Sequence, residues 1–288
     1  MPNCRKLLLL LFMHIGVYLG ATHIVGGVVY YEYLGGNQYK IIFEVYRDCS
    51  SNVSIGYDGS CPPSDPRCQL PPLYFGVYEG NIDNNVRYPN NALMLMDTVL
   101  IVPVITNPCL EPNGTCVSKG RYETIITLPK NDKGYTIQHQ RCCRNNGILN
   151  INDQPNTNDK PGITLRTVIP PLNADTNNSA RFKSFPPVFI CVNQLFYFDH
   201  SATDADGDQL SYTLNVPLAG LTSTNPADQE QGLAVPNVVW TTPYGLNNVM
   251  GGTPALSIDS ASGLLVCNPN RAGRFVVSVM VKEHRGGI

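Results

Sequence analysis

Charge is scarce in this sequence. Only 15% of its 288 residues are Asp, Glu, Lys or Arg, and the formal net charge is -2. That balance excludes a cationic face for nucleic acid and an acidic tail. Tryptophan occurs once and histidine five times, which leaves little material for a histidine-rich metal centre. No CxxC pair and no HxxxH occurs, so the usual ligand spacings of a structural zinc site are missing. No segment of helical period is long enough to trust, and helices are not expected to build the fold.

Long apolar runs are also few, and the one present sits at the start. Arg5 and Lys6 precede an apolar stretch from Leu7 to about Leu19, with small residues at Gly20 and Ala21. This is the layout of a secretory signal peptide over residues 1–21, cleaved after Ala21 or one residue earlier. The stretch is shorter than the roughly 20 residues a membrane span needs, and His14 interrupts it. No later stretch is long and apolar enough to span, so no transmembrane segment is expected after cleavage. The mature chain is expected outside the cytoplasm, in solution or on the outer cell surface.

Cysteine, by contrast, is plentiful. Of ten cysteines, Cys4 would leave with the signal, and nine remain. An exported chain oxidises such cysteines into bridges, each worth about 2–4 kcal/mol through restriction of the unfolded chain. Cys61 with Cys68 and Cys109 with Cys116 are close pairs, each able to staple one Pro-rich loop. Cys142 and Cys143 are adjacent and each needs a distant partner, for which Cys49 and Cys191 are candidates. An odd count leaves one thiol over: Cys267, unless it pairs with Cys191.

With 25 Gly, 23 Pro and 15 Tyr, the chain reads as many short strands joined by tight turns. Ile24–Tyr33 and Tyr39–Tyr46 flank Gly35-Gly36-Asn37 as a β-hairpin. Further strands are expected at 73–78, 93–104, 121–128, 135–140 and 163–168, making a disulfide-stapled β-sandwich over residues 22–180. The polar stretch Asn173–Ser179 suggests a boundary. After it, strands at 188–192, 195–198, 210–214, 238–240, 255–258, 264–267 and 274–281 suggest an immunoglobulin-like sandwich over 181–288. The last strand is followed only by Gly286-Gly287-Ile288, and further modules are expected beyond it. The expected class is therefore all-β, with two sandwich domains.

Chemistry concentrates in one place. Asp199, Asp204, Asp206 and Asp208 lie in a ten-residue segment around Gly207, and calcium wants several carboxylate oxygens converging within one turn. The segment is not an EF-hand, since Gly207 stands fourth and Asn215 twelfth. Two readings stand side by side: a calcium loop, or a hairpin turn in which Asp-Gly supplies positive φ. Ile24-Val25-Gly26-Gly27 looks like the activated N-terminus of a trypsin-type protease. No Gly-x-Ser-x-Gly or Gly-Asp-Ser-Gly-Gly follows, however, so no nucleophile exists for it to serve. Here the glycines are expected to let a strand bend. Glu44 and Glu123 could pair as glycosidase carboxylates, yet both fall in strand-like runs and read as solvent-facing. Trp240 and the tyrosines could form a sugar-stacking platform or simply pack a core.

Several segments occur in a specific order: His23-Ile24-Val25-Gly26-Gly27, Tyr46-Arg47-Asp48-Cys49, Asn107-Pro108-Cys109, Gln140-Arg141-Cys142-Cys143-Arg144-Asn145, Pro186-Pro187 and Phe198-Asp199 through Asp208. The series resembles the N-terminal region of large secreted Bacteroidetes surface proteins of the gliding-motility-associated, PKD-domain type. The stretches Asp204–Leu214 and Leu256–Leu264 are similar to cadherin-like repeats. The resemblance implies export, an extracellular location and repeated immunoglobulin-like modules. The expected function is a non-catalytic adhesive or surface-structural module, with a carbohydrate-binding module of a larger hydrolase as the alternative. Its ligand would be a surface glycan or protein.

Overall fold

The computed structural model describes residues 24–48, 73–80, 91–101, 117–142, 144–145, 147–155, 160–171, 176–187, 189–222 and 234–285. The expected leader and Cys49, Cys61, Cys68, Cys109, Cys116 and Cys143 lie outside the described residues.

The described chain is all-β. Seven strands come first: β1 (Ile24–Gly35), β2 (Gln38–Asp48), β3 (Leu73–Glu79), β4 (Asn91–Ile101), β5 (Val117–Thr127), β6 (Tyr135–Arg141) and β7 (Ile163–Ile169). Alternation of apolar and polar residues makes these long strands. In β2 the odd positions Tyr39, Ile41, Phe43 and Val45 join the core, while the other face carries Lys40 and Glu44 beside buried Ile42 and Tyr46. The β1–β2 hairpin closes at Gly35 opposite Gln38. Gly36 and Asn37 both carry positive φ, 57° and 65°, as a two-residue type I′ turn demands. A register shift between Ile24 and Gly26 bends the start of β1. Gly27 is needed there for closeness, since a Cβ would sit 2.6 Å from Leu165 and 2.8 Å from the Glu44 carbonyl.

Hydrogen bonding orders these strands β1-β2-β5-β4-β3-β6-β7, antiparallel throughout. The sheet curls on itself. Strands β2 and β3 stand three places apart, about 14 Å in a flat sheet, yet the Phe43 and Phe75 rings are 5.7 Å apart. The turn is made at β3, whose first half (Leu73–Phe75) pairs with β4 and whose second half (Gly76–Glu79) pairs with β6. Val29, Tyr31, Ile41, Phe43, Phe75, Tyr122, Ile137 and Leu165 fill the enclosed core.

The remainder is built from short strands: β8 (Arg181–Phe182), β9 (Phe196–Asp199), β10 (Ala202–Thr203), β11 (Gln209–Leu214), β12 (Ser257–Ile258), β13 (Leu264–Cys267) and β14 (Val279–His284). They form three small sheets, β10-β8, β11-β14 and β12-β13-β9. The expected strand at 188–192 is irregular where described, 238–240 makes only isolated bridges, and 274–281 becomes a strand only from Val279. Trp240 is half-buried between two apolar clusters rather than displayed as a platform.

Two connections tie these parts together. The β6–β7 connection reaches into the later residues: Ile148 and Ile151 pack with Ala219 and Val238. Asn150, wholly buried, donates to the Val249 and Val276 carbonyls and accepts the Val276 N–H. Buried Arg144 donates to the Gly162 and Leu218 carbonyls, and burial pulls its pKa down to about 10. The stretch 176–180 lies along β1, where Ser179 exchanges backbone and side-chain hydrogen bonds with Tyr31. Among the described residues no helix is long and apolar enough to cross a membrane.

Candidate functional site

The acidic segment is a tight turn between β10 and β11. Asp204 Oδ1 accepts the backbone N–H of Asp206 at 2.9 Å and of Asp208 at 3.0 Å. Gly207 has φ 81°, a conformation that an L side chain resists. The Asp-Gly pair therefore does what a turn asks of it, whatever else the carboxylates do.

Those carboxylates meet partners from two distant parts of the chain. Arg285, following β14, grips Asp208 with both arms: Nε donates to Oδ1 at 2.8 Å and Nη2 to Oδ2 at 2.7 Å. This fork holds the Asp208 carboxyl below its ordinary pKa. Arg285 also donates to the Thr176 carbonyl and to Asn177 Oδ1, both at 2.9 Å. Asp206 accepts the Asn178 N–H at 2.6 Å and its side-chain amide at 3.0 Å, with Arg285 3.4 Å away. Asn177 Nδ2 donates to the Tyr31 hydroxyl at 2.7 Å and to Glu283 Oε2 at 2.8 Å. The Ala180 N–H donates to Glu283 Oε1. The turn, the 176–180 stretch, β1 and β14 thus converge on one polar knot.

Within the knot, oxygens of Asp204, Asp208 and Glu283 lie within 4.8 Å of one another. Asp204 Oδ2 is buried with no hydrogen-bond partner. Burial raises the Glu283 pKa, with Asp204 and Asp208 adding to the rise, against the hydrogen bonds from Asn177 and Ala180. Four carboxylates gather here and the Arg285 guanidinium pairs with two of them, Asp206 and Asp208, an excess of negative charge that a divalent cation would offset.

The structure brings together Asp204, Asp206 and Asp208 but not Asp199. Asp199 is exposed at the end of β9, where its Oδ1 accepts the Ser201 N–H at 3.0 Å. Glu283, Arg285, Asn177 and Asn178 were not singled out from sequence. Glu283 left one signal: it shares inward parity with Val281, which packs against a buried cluster, so a carboxylate falls where an apolar residue would be expected.

Cys142 and Cys191 are both disulfide-bonded. Cys267 is a free, fully buried thiol whose pKa burial raises. Glu44 and Glu123 lie on the outer face of the first sheet with Arg121 between them, 3.5 Å from Glu44 and 3.1 Å from Glu123. Lys119 also reaches Glu44, at 3.3 Å. His139 is buried against Phe43 with Nδ1 2.7 Å from the Tyr74 carbonyl, and burial lowers its pKa to about 3. His284 Nε2 meets Ser211 Oγ at 2.7 Å. No family model matches the chain, no curated protein matches it, and no solved structure matches it.

Proposed function

We propose that this chain is an exported, non-catalytic module that serves adhesion or surface architecture outside the cytoplasm. The carrying observation is that Cys142 and Cys191 are held in disulfides, which persist in oxidising compartments. On this reading the curled sheet of β1–β7 is a stapled sandwich, and the part built from β8–β14 is an immunoglobulin- or cadherin-like sandwich. Both would serve as rigid mounts for surface loops, in the manner of the gliding-motility-associated surface proteins that the sequence resembles. Surface shaving of intact cells with protease, with thiol titration of the unreduced, denatured chain, tests it. Release from the surface and a single titratable thiol are expected; a cytosolic chain with every thiol reduced overturns the proposal.

A second reading concerns the knot. Asp204 Oδ2, Asp208 and Glu283 would hold calcium, supported by the buried, unpartnered Asp204 oxygen and the excess of carboxylates. The cation would stiffen the contact between β1 and the acidic turn and do no chemistry. The full chain should melt at higher temperature in millimolar calcium than in chelator, and Asp204→Asn should remove the difference. Coincident melting curves sink the idea.

A further inference from the structure

Asp199, left aside by the knot, belongs to another feature. An open trough of about 630 Å³ is lined by Lys183, Asp199, Ser201, Gln209, Leu210 and Leu264 among others. That volume lies within the roughly 300–1,000 Å³ of small-ligand sites. Its polar groups are mixed. Ser201 Oγ is buried, with the residue only 9% exposed, and lies beside the Asp199 carboxylate, whose pKa it helps to lower. The Gln209 side chain is exposed, and Lys183 sets its charge against Asp199. One cation and one carboxylate leave the walls without net charge, which selects against phosphates and simple cations alike.

The adjoining face adds an aromatic ring. Alternation along β9 puts Tyr197 on the same face as Asp199, and β13 sets Leu264 opposite Asp199 and Val266 opposite Tyr197. The Tyr197 side of this face is open, with the residue 60% exposed. A ring beside a mixed set of amide, carboxylate, hydroxyl and ammonium groups matches the surface of a sugar. Its C–H face stacks on aromatics, and its hydroxyls both donate and accept. An extended peptide fits less well. The outward N–H of Tyr212 on the neighbouring strand is already given to the Ser260 carbonyl at 3.0 Å, so that edge is closed to strand addition.

We infer that the trough lined by Asp199, Ser201 and Gln209, with Tyr197 on the adjoining face of β9, binds a neutral saccharide. This names the ligand class of the adhesive reading and rests on it. The test is an array of immobilised hexose and N-acetylhexosamine oligosaccharides probed with the full mature chain, with an array of extended peptides beside it. Retention on a subset of glycans is expected. Tyr197→Ala and Gln209→Ala should each weaken it at least tenfold while leaving the melting temperature unchanged. Tyr197 is exposed enough that its truncation spares the fold. Glycan binding that survives both substitutions overturns the site while leaving the adhesive role intact. Retention on peptides alone, or on neither array, overturns the saccharide assignment. Surface shaving reports on export independently of either result.

Discussion

At the scale of single residues, buried polar groups carry most of what can be tested. Asn150 replaces three backbone partners that the β6–β7 connection cannot otherwise supply. Asn150→Ala leaves the Val249 and Val276 groups unpaired in the interior. The expected cost is about 2–4 kcal/mol, since each buried orphan costs roughly 1–3 kcal/mol, read as a lower urea midpoint with unchanged slope. Two titrating groups set opposite pH trends. Glu283 has a raised pKa in the folded chain, so it binds its proton more tightly there than when unfolded. The stability it contributes is fully present below its ordinary value of 4.5 and is lost as pH climbs through the raised one. His139 is held neutral, its pKa down at about 3 from 6.5. Unfolding lets it take a proton, so its contribution is lost as pH falls from 6.5 towards 3. Denaturation midpoints measured across pH should separate the two. Glu283→Gln should remove the loss on the alkaline side, and His139→Gln should flatten the acid limb between about 6 and 3. An unchanged acid limb in His139→Gln would refute the buried, neutral imidazole.

At the scale of elements, legibility divides cleanly. All seven strands of the first sheet were readable, because each is long enough for period-two alternation to repeat several times and the hairpin carries its own turn residues. The later strands were read less well because many are two to six residues long, and nothing local marks where they begin. Val188–Val192 has the composition of a strand yet finds no pairing partner where described. Arg181–Phe182 and Ala202–Thr203 lack that composition yet pair with each other. Pairing there is decided by packing, which composition does not encode. The acidic turn was legible as a turn. Its partners were not, since Asn177 and Arg285 lie 108 residues apart in sequence. Gly162 and Gly220 show another feature visible only in three dimensions. A Cβ on Gly162 would lie 2.2 Å from the Arg141 carbonyl oxygen and 2.5 Å from that of Leu221, while one on Gly220 would lie 2.5 Å from Ile163. Backbone meets backbone here, and neither side can yield by a rotamer change. Gly162→Ala should destabilise by about 1–3 kcal/mol, the usual cost of overpacking. Gly36→Ala, where nothing lies within 4 Å, should cost only the strain of positive φ, roughly 1 kcal/mol.

At the scale of the whole molecule, the question is whether the chain unfolds in one step or two. The sequence suggests a cut near residue 180, and the stretch there is polar enough to be a linker. Contacts run across that position. Ile148 and Ile151 are buried among residues that follow 215, and Leu149 and Asn152 donate backbone hydrogen bonds to Arg274 and Val239. Around residue 180 itself, Ser179 and Asn178 pair with Tyr31 and Tyr33 on β1, and Arg181 stacks 4.6 Å over the Tyr30 ring. Elements that share a core and several buried hydrogen bonds unfold together unless those contacts are weaker than either part alone. The full chain should therefore melt in one transition, with calorimetric and van't Hoff enthalpies agreeing. Residues 181–288 expressed alone lack Asn150, Ile148 and Ile151, and should give a broad, poorly cooperative transition. Adding residues 144–152 by fusion through a flexible linker should sharpen it. Two resolved transitions in the full chain, or a cooperative fragment without that addition, would show that the β6–β7 connection merely rests on its neighbour and completes no core.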